Sequence, residues 1–124
     1  MHVGIVGATG QVGGLVRTLL IERNFPVDSV RFFASARSAG TTIEWNGDDV
    51  VVENAAEADY TGLDICIFSA GATTSREIAE KVASQGPIVI DNSSAWRMHP
   101  EVPLVVPEAN ADALQSIPKG IVAN

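Results

Sequence analysis

The chain has 124 residues and a formal charge of −7, from 8 basic and 15 acidic side chains, which argues against a general nucleic-acid-binding surface. At 46% hydrophobic and 19% charged it is too apolar for a disordered chain, yet no apolar run approaches the roughly 18 residues of a membrane span. One cysteine excludes an internal disulfide or a multi-cysteine zinc site, and the opening Met1-His2-Val3-Gly4-Ile5 lacks the basic leader of a signal peptide, so a soluble, cytosolic globular domain is expected.

Residues 2–6 form a short apolar run that meets a glycine-rich turn at once. From Gln11 to Arg23, the residues Val12, Leu15, Val16, Leu19 and Leu20 recur at the spacing of one helical face, and Asn24 and Pro26 stop the helix. Val30 to Ala34 reads as a second strand ending in the polar turn Ser35-Ala36-Arg37-Ser38-Ala39-Gly40. Thr41–Trp45 and Asp49–Glu53 read as a hairpin around Asn46-Gly47, with Asp48 leaving the turn length open. Asp64–Phe68 is continuously apolar after its first residue, as befits a parallel strand covered on both faces, and it ends at Ser69-Ala70-Gly71. Ser75 to Gln85 carries Ile78, Ala79 and Val82 on one helical face and closes at Gly86-Pro87.

Ile88–Ile90 is the next buried strand, ending in Asp91-Asn92-Ser93-Ser94. Leu104–Val106 reads as a strand, Ala111–Gln115 as a short helix, and Ile121–Asn124 as a last apolar strand with nothing after it to cap the sheet. Strand–helix alternation with buried strands predicts a doubly wound, mostly parallel Rossmann-like α/β sheet, as one domain over residues 1–124 without repeats or linkers. A bare closing strand predicts a truncated chain of marginal stability, a few kcal/mol at most.

Gly7-Ala8-Thr9-Gly10-Gln11-Val12-Gly13 lies between the first strand and the first helix. Its G-x-x-G-x-x-G spacing departs from G-x-G-x-x-G, but the physics is shared. One glycine permits positive φ, one lets a pyrophosphate approach, and one allows close helix packing, while the phosphates meet the helix's positive end. A ligand-free tight turn is the plainer alternative.

An NAD-binding sheet places an acid about 20 residues further on for the ribose 2′-hydroxyl. Here that region has no acid and instead offers Arg37, whose planar fork suits a 2′-phosphate, with Ser35 and Ser38 as hydroxyl donors. NADP is therefore expected, against the plainer reading of Arg37 as a solubilising surface charge.

Two further strand ends face the same crevice. Ser69 and Gly71 are small enough to let the cofactor's middle pass, and Asn92 offers amide donors and acceptors. Arg97 suggests capture of an anionic substrate group, its plainer alternative being a salt bridge to Glu101 or Glu108. His99 stays unassigned, His2 reads as structural, and Cys66, inside an apolar strand, reads as a buried structural thiol.

The runs Gly7–Gly13, Ala34–Gly40, Asp91-Asn92-Ser93-Ser94-Ala95-Trp96-Arg97-Met98 and Val102-Pro103-Leu104-Val105-Val106-Pro107-Glu108 together resemble aspartate-semialdehyde dehydrogenase of bacterial type, in order along the whole chain. That resemblance implies NADPH-dependent reduction of L-aspartyl 4-phosphate to the semialdehyde and phosphate, feeding lysine, threonine and methionine synthesis, in a cytoplasmic homodimer. It implies that Thr9, Gly10, Gln11 and Val12 bind the pyrophosphate region, Arg37 and Ser38 the 2′-phosphate, and Arg97 the phosphate of the acyl-phosphate substrate or the inorganic phosphate. The family's nucleophilic cysteine follows an Ala-Asn pair within Asn-Pro-Asn-Cys. Ala123-Asn124 are the last residues here, so this chain is expected to lack the catalytic cysteine and the dimerisation domain and not to turn over alone. The alternatives are a related reductase such as N-acetyl-glutamyl-phosphate reductase, against which Ser93–Arg97 argues, or a non-catalytic NADP-binding module.

Overall fold

The continuously apolar runs become interior strands of one seven-stranded sheet in the computed structural model, which describes residues 1–124. In chain order the elements are β1 (His2–Val6), α1 (Gln11–Glu22), β2 (Ser29–Ala34), β3 (Thr42–Trp45), β4 (Asp48–Asn54), β5 (Ile65–Phe68), α2 (Ala72–Ser84), β6 (Ile88–Asp91), α3 (Pro107–Asn110), a 3-10 turn (Ala111–Gln115) and β7 (Ile121–Ala123). The spatial order is β3-β4-β2-β1-β5-β6-β7. All pairings are parallel except the β3–β4 hairpin, as expected of a mostly parallel Rossmann-like α/β sheet.

Alternation along the strands sorts side chains to the two faces. Val3 and Ile5 of β1 join Val30, Phe32 and Val52 beneath α1, which contributes Val16 and Leu20. Val6, Phe33, Cys66, Phe68 and Val89 join the larger core on the other face, with Ile78, Ala79 and Val82 of α2 and with Tyr60, Trp96 and Val102 from loops. Register aligns Val6 with both Phe33 and Phe68, so the strands that flank β1 end level with it.

Five features differ from the sequence reading. The hairpin turn holds two residues, Asn46 (φ 50) and Gly47 (φ 90), and Asp48 pairs with Trp45 as the first residue of β4. Helix α2 starts at Ala72, earlier than Ser75, because Gly71 (φ 92) turns the chain directly into it despite the poor helix propensity of Thr73 and Thr74.

The apolar stripe of α1 is only partly used. Val12, Leu15 and Leu19 are exposed, because the helix approaches the sheet through its glycines: a Cβ on Gly13 would lie 2.2 Å from the Gly7 carbonyl oxygen. Beside it, Val16, Leu19, Phe25, Ile67 and Ile90 line an apolar groove of about 250 Å³.

Leu104–Val106 is not a strand; it makes one parallel bridge, Leu104 to Ala123. The Val106 amide is taken by the Asn110 side chain at 2.7 Å, and Pro107 then starts α3. The same segment corrects the expectation of a bare last strand. The Ala123 amide donates to Pro103 and the Val105 amide to Ala123, both at 2.9 Å, so β7 has a neighbour on its outer side, and Ile121, Val122 and Ala123 are all buried.

Arg31 grips Glu53 with two hydrogen bonds, of 2.8 and 2.6 Å, tying β2 to β4, and those bonds raise the guanidinium above its ordinary pKa. Tyr60 is fully buried against Phe33 and donates its hydroxyl to the Ala55 carbonyl at 2.6 Å; burial pushes its pKa up. Tyr60→Phe should lower unfolding free energy in urea by about 1–3 kcal/mol, because a buried carbonyl loses its donor. An unchanged midpoint would show that the carbonyl has another partner.

Candidate functional site

Parallel pairing brings the C-terminal ends of β1, β2, β5 and β6 to one edge of the sheet, and the turns that leave them hold every residue expected at the site. After β1 the chain moves outward to β2, while β5 lies on the opposite side of β1, so the strand order reverses between β1 and β5. Open α/β sheets bind ligands at such a reversal. A crevice of about 200 Å³ lies there, lined by Val12, Ser69, Gly71, Asn92 and Ser93.

The three turn glycines do different work. Gly7 has φ +86, and a Cβ on it would meet the backbone of Ser69 and Ala70 at 2.8 Å. Its amide donates to the Phe33 carbonyl at 2.9 Å, fastening the turn to the end of β2. Gly13 lets α1 lie against the turn. Both are demanded by the fold. Gly10 is not: it caps α1 with φ −81 and ψ 175, open to any residue, and a Cβ there would make only an ordinary 3.5 Å contact with the Gly7 oxygen.

The fold itself therefore does not require a bare backbone at Gly10. No side chain caps α1 and no acid stands in its first turn, so its amides and positive end face the open edge unopposed. Thr9, Gln11 and Val12 are exposed around it. This cradle fits a pyrophosphate.

At the end of β2, the Ser38 and Ala39 amides donate to the Ser35 carbonyl at 3.0 Å, folding residues 35–39 into a tight turn. Arg37 is exposed on it and joins none of the ion pairs, which are Met1–Asp28, Arg31–Glu53 and Lys119–Glu80. Its fork of donors remains available beside Ser35 and Ser38. At the end of β5, the Ser69 hydroxyl donates to the Val6 carbonyl at 3.2 Å, so Ser69 shapes the crevice wall while its proton is committed.

Arg97 makes neither of the salt bridges considered from sequence. Its guanidinium donates to main-chain oxygens instead, to Asn124 at 3.1 Å and Asn92 at 3.3 Å, leaving further N–H groups free on an exposed side chain. His99 accepts from the Glu101 amide at 3.1 Å and packs on Trp96, and His2 meets Ser29. Cys66 is fully buried, and burial pushes its thiol far above its ordinary pKa, so it is no nucleophile.

Sequence reasoning passed over Asp91, the fully buried last residue of β6. It receives hydrogen bonds from Ser75 and Ser93. An acid closing the apolar run Ile88-Val89-Ile90 was the available signal.

A family model described as "Semialdehyde dehydrogenase, NAD binding domain" matches residues 2–117. The aspartate-semialdehyde dehydrogenase of Streptomyces akiyoshiensis is 68% identical over 124 residues, covering 100% of this chain and 36% of that protein. That of Corynebacterium glutamicum is 53% identical over 125 residues, covering 98% and 36%. Among solved structures, aspartate semialdehyde dehydrogenase II of Vibrio cholerae, complexed with ASA, superposes with a TM-score of 0.94 at 44% identity, covering 99% of this chain and 40% of that one. The chain thus spans little more than a third of the curated relatives' length.

Gly10→Ala and Gly13→Ala should separate ligand from fold. Gly10→Ala should change stability by no more than about 1 kcal/mol while weakening nicotinamide dinucleotide binding by about tenfold or more. Gly13→Ala should lower the thermal midpoint outright. Dinucleotide affinity unaffected by Gly10→Ala would contradict the pyrophosphate assignment.

Proposed function

Because the chain belongs to the semialdehyde dehydrogenase family, we propose that it is the NADP-binding part of an oxidoreductase that converts L-aspartyl 4-phosphate, NADPH and a proton into L-aspartate 4-semialdehyde, NADP and inorganic phosphate. The observation that carries the choice of cofactor is the turn after β2. It presents Arg37, Ser35 and Ser38 and no acid, where an NAD-selective sheet would present a carboxylate to the ribose 2′-hydroxyl. A 2′-phosphate would be drawn to that guanidinium and repelled by an acid in its place.

The bound nicotinamide supplies the hydride for an acyl carbon held beside it. Every other task in this part of the reaction is binding and orientation. Gly7 and Gly13 shape the turn, and Thr9, Gly10, Gln11 and Val12 present amides and open space to the pyrophosphate. Gly71 and Ser69 form the wall that the middle of the cofactor crosses, and Asn92 reaches the same crevice from β6. Arg97, one turn of loop further on, keeps guanidinium N–H groups free for the substrate's phosphate.

The thiol that attacks the acyl phosphate is not the buried Cys66. In this reading the nucleophile, its acid/base partner and the surface of a homodimer belong to the remaining length of the relatives, and the chain's share is the cofactor. A cytoplasmic setting follows from the same reading.

Arg37→Ala tests the cofactor assignment directly. It should weaken NADPH binding by about ten- to a hundredfold, as expected for a lost charge-assisted pair, and leave NADH binding nearly unchanged. Equal losses for the two nucleotides would overturn NADP selectivity at this turn.

A further inference from the structure

Asp91 is a fully buried carboxylate with no cation beside it. Burying such a group in a core is expensive unless hydrogen bonds replace its water. Here they do, and their direction is informative. Trp96 donates its indole N–H to the Ser75 hydroxyl at 3.0 Å, and an indole nitrogen can only donate. The Ser75 oxygen therefore accepts, and its own proton goes to Asp91 Oδ2 at 2.7 Å.

Ser93 makes the other two bonds, its hydroxyl to Oδ2 and its amide to Oδ1, both at 2.9 Å. Because that hydroxyl proton is spent, the Ser93 oxygen can receive the Ala95 amide at 3.2 Å. Asp91 accepts in all three of these side-chain bonds. The relay Trp96 to Ser75 to Asp91 and the turn at Ser93 close on both ends of one loop.

That loop is Asn92–Arg97. Its first residue lines the crevice at the β1/β5 reversal, and its last carries the guanidinium that also bonds the Asn92 carbonyl. Ser75 sits one turn into α2, directly after the Ser69–Gly71 wall, so the relay also locks that wall to the loop. Stability alone would be served as well by apolar groups in this position. Setting the direction of two ligand-facing side chains would not.

We propose that Asp91, Ser75 and Trp96 form a positioning relay that holds the Asn92–Arg97 loop, and with it Asn92 and Arg97, in the geometry that receives the dinucleotide and the substrate's anionic group. The proposal rests on the dinucleotide reading above, and the loop's order and the ligand's affinity are read separately so that the two can fail independently.

The test compares Asp91→Asn, Ser75→Ala and Trp96→Phe with the parent chain by amide hydrogen exchange, thermal unfolding and NADPH titration. Asparagine is nearly isosteric, but its NH₂ must face either the two hydroxyls or the Ser93 amide, so the three bonds cannot all be kept. Asp91→Asn should speed exchange of the Ser93 and Ala95 amides about tenfold or more and weaken NADPH binding by about tenfold, with the β1 and β5 amides unchanged and the thermal midpoint little altered. Ser75→Ala should act in the same direction. Trp96→Phe should be mildest, since Ser75 still donates to Asp91.

Unchanged loop exchange in Asp91→Asn overturns the relay. So does faster loop exchange with undiminished NADPH affinity, or a loss of affinity that tracks a lowered midpoint and uniformly faster exchange. Failure of the parent chain to bind NADPH would contradict the dinucleotide reading. The loop-holding role would then stand or fall on the exchange comparison alone.

Discussion

Parallel pairing of β1 with both β2 and β5 is the constraint from which the rest of the site follows. Strands that run the same way must release the chain at the same edge. Turns far apart in sequence, after Val6, Ala34, Phe68 and Asp91, therefore meet there. The register places Val6 level with Phe33 and Phe68, so the glycine turn sits between its neighbours without projecting past them. Function at this edge is a matter of which small, basic or amide side chains the turns carry. The fold decides only that they will be together.

Two kinds of glycine have to be kept apart in such a turn. Gly7 and Gly13 are paid for by packing, since a side chain at either would collide with backbone. Gly10 collides with nothing, and its dihedral angles are ordinary. The same distinction runs through the polar groups. Ser69 and Ser93 lie in the crevice wall with their hydroxyl protons already committed, whereas Arg37 and the Asn92 side chain engage no protein partner. Groups that the fold does not need are the ones that point to a ligand.

Local signals carried most of the architecture into the sequence. The runs 2–6, 64–68 and 88–90 were legible because a strand covered on both faces has no polar period, and Asn46-Gly47 because both turn residues need positive φ. What could not be read depended on distance. Periodicity showed which side of α1 was apolar but not that Gly13 would bring only Val16 and Leu20 onto the sheet. Leu104–Val106 has a strand-like sequence, yet the Val105 amide is taken by Ala123 and the Val106 amide by the Asn110 side chain. Asp91 finds Ser75 sixteen residues back, and Arg97 finds Asn124 twenty-seven residues on, and no short window shows either pairing.

Mapping amide chemical shifts during titration of the chain with NADPH tests the central claim most directly. The account predicts that the shifts concentrate at Thr9–Gly13, Ser35–Ser38, Ser69–Gly71 and Asn92–Ser93, with the opposite edge, around His2, Ser29 and Asp64, unaffected. Saturable shifts centred on that opposite edge, or on the apolar groove between α1 and β6, would contradict it.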